Sequence, residues 1–220
     1  KNNGWEIKVF INGKLEKIKC KVLVDASTNS KVSLLQKNNI INLDSAGKYV
    51  SLVSYDQNHQ QAPYQQIQKL YRTSGAAGYG KDRTRHNIPL GIFIPKEKDN
   101  LLIVSVSSFK NFDTEDLRNI ALWINMGQAA GALAAYGPFF DVSPSKANIR
   151  ITQGEMFTYK SFLYVVEDIQ QNDFAWHPVQ KIIASGLLNL DFKTGRFNPN
   201  EIVKANDIKK VHGKSAKIFS

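Results

Sequence analysis

Gly127-Gln128-Ala129-Ala130-Gly131-Ala132-Leu133-Ala134-Ala135 is the stretch on which the fold reading turns. Gly127 and Gly131 fall one turn apart on the same helix face. Each glycine in a helix interior costs about 1 kcal/mol relative to alanine. Two together imply that another backbone, or a flat ligand, comes very close. Tight helix–sheet packing in a core is the plainer of these explanations. Upstream, Asp113-Thr114-Glu115-Asp116 is a helix-start signal, with capping oxygens and acids at the positive helix end. A long helix is therefore expected from about Thr114 through Tyr136, with Gly137-Pro138 as its stop.

Further towards the N-terminus the pattern is of strands. Trp5–Ile11 alternates apolar and polar residues, Asn12-Gly13 is a strong hairpin signal, and Leu15–Cys20 returns. Lys17, Lys19 and Lys21 alternate with Ile18, Cys20 and Val22, placing the lysines on the outer face, where they discourage sheet-to-sheet aggregation. Lys21–Asp25 is a short apolar run ending in an acid and small residues, which suits a buried strand of parallel type. Residues 42–86 are polar; loops are expected there, with one strand around Tyr49–Tyr55. Ile88–Ile94 and Leu101–Val106 read as strands separated by turn chemistry. Beyond the long helix come a short helix or linker in residues 141–160, a helix over Phe174–Ser185 ended by Gly186, a turn at Arg196–Pro199 and a last helix over Ile202–Val211. The fold class is α/β.

Composition sets the outer limits. The 220 residues are 42% hydrophobic and 22% charged, with 12 Phe, 8 Tyr and 3 Trp, which excludes a mainly disordered chain. No run of about 18 apolar residues occurs, so no membrane span is expected. One cysteine excludes a disulfide framework and a Cys-based zinc site. The sequence begins at Lys1 and lacks the apolar core of a signal peptide, and is read as a processed or trimmed product. The net charge of +10 raises nucleic acid or an anionic surface as partners. The basic residues are dispersed, so a solvated basic surface is expected and no nucleic-acid partner; an acidic glycan stays open as a ligand.

Other motifs carry less. Gly75–Asp82 nearly spells a phosphate loop, but Asp82 stands where a hydroxyl is needed and no apolar strand precedes it; a plain loop is expected. His59, His86, His177 and His212 have no second ligand at helical spacing, so no metal site is expected. His177, close to Asp173, reads as a group that caps or orients a helix start. No catalytic acid, base or nucleophile can be named.

At the Gly127 run the chain resembles the FAD-dependent oxidoreductase family of the xanthan-lyase-associated type from gut bacteria. The family pattern runs I-P-Y-R-x-L-x-P-K-x-x-D-N-L-L-V-A-G-R, a spacer, S-x-R-V-x-P, then G-Q-A-A-G. Ile88-Pro89-Leu90, Ile94-Pro95-Lys96, Asp99-Asn100-Leu101-Leu102, Arg118 and Gly127–Gly131 match it in order. Val22–Ala26 looks like the family strand ending in D-A-T-G, and Asp173–Ile182 like its C-terminal segment. The resemblance implies FAD as cofactor, with Asp25, Ala26, Arg118, Gly127, Gln128 and Gly131 as cofactor-binding positions. It implies a partial Rossmann-type flavoprotein domain with hairpin strands over residues 1–140, and a small, mainly helical region over 141–220.

The family's G-x-G-x-x-G fingerprint, which holds the pyrophosphate at a helix start, is not in this sequence. The chain corresponds to the portion after it, so a missing N-terminal segment of the same protein is an expected partner. Ser27-Thr28 replaces the family's Thr-Gly, Ser105-Val106 its Gly-Arg, and Ala121 its proline. These departures point to an eroded cofactor site. Without the proline the long helix is expected to run unbroken, with the amides at Gly127 used inside it. The resemblance suggests an oxidoreductase acting on carbohydrate-derived substrates, in the periplasm or secreted. The alternative is a non-catalytic relative that binds, for example, acidic glycan. Gly186, Gly195, Phe197 and Pro199 before a basic helix are faintly similar to an S-layer-homology unit, which would suit attachment.

Overall fold

The computed structural model describes residues 4–27, 53–54, 73–80, 83, 85–95, 100–106, 119–188, 190–191, 193–202, 205–206 and 208–209. The alternation near the N-terminus becomes β1 (Trp5–Ile11) and β2 (Lys14–Cys20), an antiparallel pair in the register Trp5↔Cys20 to Ile11↔Lys14. Asn12 and Gly13 take φ of 50° and 77°, the left-handed pair that a two-residue hairpin turn needs. Strand β3 (Leu23–Asp25) pairs in parallel with β7 (Leu101–Ile103), as the apolar run ending in Asp25 predicts. Asn100 O accepts from Leu23 N–H at 3.0 Å, and Asp25 O accepts from Val104 N–H at 2.9 Å, extending that ladder.

A three-stranded antiparallel sheet has the order β4 (Val53–Ser54), β6 (Arg85–Pro89), β5 (Ser74–Tyr79). Strand β4 falls within the expected Tyr49–Tyr55 strand, whose remaining residues lie outside the described ones. Strand β5 corrects the loop expected at 75–80. Its small residues are a packing requirement: Ala76 and Ala77 are fully buried. A Cβ on Gly75 would stand 2.5 Å from Leu90 Cδ2, and one on Gly78 3.1 Å from Leu122 Cδ1. The strand expected over Ile88–Ile94 ends at Pro89, whose ring removes a ladder donor, and a 3-10 turn follows at Leu90–Phe93. Likewise β7 stops at Ile103, short of Val106.

Helix α1 (Ile120–Phe140) lies across β5 and also touches β3 and β7. Its buried stripe, Leu122, Met126, Ala129, Ala130, Leu133 and Gly137, follows helical spacing. Two expectations about its ends are corrected. Asn119, extended at φ −75° and ψ 108°, is the N-cap, and its side chain accepts from Ala121 N–H at 3.0 Å; the helix begins there rather than running through from Thr114. Residues 107–118 lie outside the described ones. Gly137-Pro138 does not stop the helix, which continues to Phe140 and closes on Asp141 in the left-handed region. Pro138 gives up its own donor and its ring crowds the carbonyl one turn back, without ending the helix; Gly137 lets the returning Val142 pass: a Cβ there would stand 3.0 Å from Val142 O.

Helix α2 (Ile149–Thr158) is capped by Asn148, which accepts from Arg150 N–H at 3.0 Å and Ile151 N–H at 3.3 Å. Helix α3 (Trp176–Ser185) ends at Gly186, as the sequence predicts, and starts two residues later than Phe174. The Arg150 guanidinium binds the α3 terminal carbonyls of Ala184 and Ser185 at 2.5 and 3.2 Å, a cation at the negative helix end. His177 does not cap α3; its Nε2 lies 2.9 Å from Phe157 O at the end of α2, and the first turn of α3 is prepared by Asp173, which accepts from Ala175 N–H at 2.8 Å.

Between α2 and α3 the chain runs extended beside β5. Phe162 O accepts from Ala77 N–H at 2.8 Å, and Leu163 O accepts from Ser74 Oγ at 2.6 Å. Ile88, Leu90, Phe93, Leu102, Leu122, Met126, Leu133, Met156 and Leu163 share the main core. A second cluster joins Val166, Ile169, Trp176, Val179, Ile183 and Leu190, with Phe197 packed against it. Residues 205–206 and 208–209 are helical, inside the expected last helix; its other central positions lie outside the described residues.

Candidate functional site

Helix α1 has no charged residue in its length. A helix apolar all round is normally covered on every side. Here the face opposite the core is open: Ile120 is 74% exposed, Ile124 66% and Phe139 82%. Gly127, Gly131 and Ala135 continue that face and are exposed. A Cβ on Gly127 or Gly131 would meet nothing within 4 Å. The backbone that the glycine pair could accommodate is therefore absent among the described residues; what the glycines leave is a bare strip of main chain.

Beside this strip, α1 and α2 enclose an apolar cavity of about 420 Å³. Its walls include Gly131, Ala132, Tyr136, Phe140, Ile151, Met156 and Tyr159, with Gln128, Thr152 and Glu155 as polar members. The volume falls in the range of small-molecule sites, about 300–1,000 Å³. Tyr136 and Phe140 pack with ring centroids 4.4 Å apart and form one wall. Sequence reasoning missed the α2 side, Ile151, Met156 and Tyr159, because only the tertiary approach of two helices sets it beside Gly131. The Phe139-Phe140 pair beyond the glycine run was the available signal.

The other sequence-predicted positions are dispersed. Gln128 spans α1 and α2, its Nε2 donating to Tyr159 O at 3.0 Å. Gly127 lies about two turns inside α1, where amides bond carbonyls four residues back; Ala121, where the family has its proline, is in the first turn of the helix, so the loss of that proline does not decide this. Asp25, buried at the end of β3, accepts from Ser27 N–H at 3.0 Å and Ser27 Oγ at 2.6 Å. Ala26 follows it. Arg118 lies outside the described residues.

The glycine strip is bare, and the cavity beside it is lined mainly by apolar side chains. No described segment forms a phosphate cradle of free amides: Ser27 holds Asp25, and the first amides of α1 are capped by Asn119. A second polar group, absent from the sequence reading, gathers where the sheet meets the C-terminal turn. Tyr79 Oη donates to Glu167 Oε1 at 3.1 Å, with Arg85 3.7 Å and Arg83 3.9 Å from the same carboxylate. Burial and the neighbouring Glu167 hold the Tyr79 phenol above its usual pKa. Arg85 also reaches Lys193 O at 2.5 Å, so this cluster clasps the C-terminal turn.

Among the described residues no three His, Cys, Asp or Glu side chains gather as metal ligands, and no helix is long and apolar enough to cross a membrane. The family model for FAD dependent oxidoreductases matches residues 32–156, more than half of the chain, including the Gly127–Gly131 run. No curated protein and no solved structure matches the chain.

Proposed function

The chain belongs to the FAD dependent oxidoreductase family, and from that premise we propose that it is the C-terminal part of a flavin-dependent oxidoreductase-like protein. The carrying observation is the open glycine strip of α1, inside the matched span, next to an apolar cavity. Bound flavin supplies hydride and electron transfer. Were flavin bound, Gly127 and Gly131 would let its ring approach the main chain and Tyr136 and Phe140 would exclude water beside it, while Gln128 holds α2 against α1. Asp25, Ala26 and Arg118 are proposed as further cofactor contacts, from the order of motifs they share with the family. The substrates we propose are carbohydrate-derived and the compartment extracytoplasmic.

Among the described residues β3 and β7 form a parallel pair with no third strand, which supports a further element of the reading. Parallel sheets are ordinarily wider and covered on both faces by crossover helices. We propose that a preceding segment of the same protein adds βα units to this pair, lays a helix near the open α1 face and supplies the pyrophosphate cradle.

One set of observations favours a second reading. Ser27 engages Asp25, and the Gly127 amide lies within the helix, so a flavin would lose two of the family's contacts. On this reading the scaffold is a non-catalytic module that binds acidic glycan through its basic surface.

Colour separates the two. The protein is purified with its native N-terminus, and visible absorbance and released-flavin fluorescence are recorded before and after adding FAD. Flavin absorbance is the expected result; a colourless protein that takes up no FAD eliminates the oxidoreductase reading. Retention on an acidic polysaccharide, lost at raised salt, is the outcome for the module.

A further inference from the structure

We draw no further inference here: the strongest candidate, the apolar cavity between α1 and α2 lined by Tyr136, Phe140, Met156 and Tyr159, belongs to the site already described, and nothing in the structure shows what covers the exposed α1 face beside it.

Discussion

Replacing Gly127 and Gly131 together by alanine tests the reading of α1 most directly. At both positions the added methyl meets no atom within 4 Å. The change therefore carries only the backbone term: alanine is better than glycine in a helix interior by about 0.8–1.0 kcal/mol. Two such sites give about 2 kcal/mol of added stability to the flavin-free protein. With a urea dependence of about 2 kcal/mol/M, the unfolding midpoint should rise by about 1 M. Gly78→Ala and Gly137→Ala are the controls, because their methyls would stand 3.1 Å from Leu122 Cδ1 and 3.0 Å from Val142 O; both should lower the midpoint. Urea unfolding followed by far-ultraviolet circular dichroism measures all four substitutions. If a flavin lies on the strip, the stabilised double variant should lose its flavin, a separation of stability from binding. A double variant that unfolds earlier than the parent would refute the reasoning, because it would place a close neighbour over the strip in solution.

Three further outcomes are expected. Gln180 is fully buried, accepts from Leu163 N–H and Tyr164 N–H at 3.2 and 2.9 Å, and donates to Tyr164 O at 2.7 Å; Gln180→Leu strands these groups and should cost about 3 kcal/mol in urea unfolding. Gly195 has φ of 72°, and a Cβ there would collide with Arg85 Nη1, so Gly195→Ala should destabilise by about 2 kcal/mol or more, read as a lowered melting temperature. Burial pushes the Tyr164 phenol up from 10.0 to about 12. The fold thus favours the neutral phenol. That contribution is whole below pH 10 and is lost as pH rises towards about 12, so alkaline unfolding should be delayed in Tyr164→Phe.

The strands that the sequence announces are those whose side chains alternate or run apolar. Trp5–Ile11 and Leu23–Asp25 carry their burial in their own periodicity, and Asn12-Gly13 closes a hairpin by local dihedral preference alone. Strand β5 was illegible because Ser74-Gly75-Ala76-Ala77-Gly78 has the composition of a loop. Its small side chains answer to Leu90 and Leu122, residues remote in sequence. The end of α1 was misread for a related reason. Gly137-Pro138 is a stop signal when local preference decides, but here the C-terminal turn is held by Asp141 and by packing of Val22 and Pro144 around Gly137. The cavity wall on α2 has no sequence signature, since Ile151, Met156 and Tyr159 read as one side of an ordinary amphipathic helix.

By itself the sequence determined an α/β chain, a basic and partly exposed hairpin, a parallel strand ending in Asp25, and a helix with two glycines one turn apart. Each follows from interactions within a few residues, where side-chain spacing and backbone dihedrals are sufficient. Only the tertiary structure decided which way the glycines face. Glycines buried under a sheet and glycines bared to a vacant face are the same letters at the same spacing. The difference is whether a distant segment comes within a few ångströms, and for Gly78 Leu122 does, whereas for Gly127 and Gly131 no described residue does.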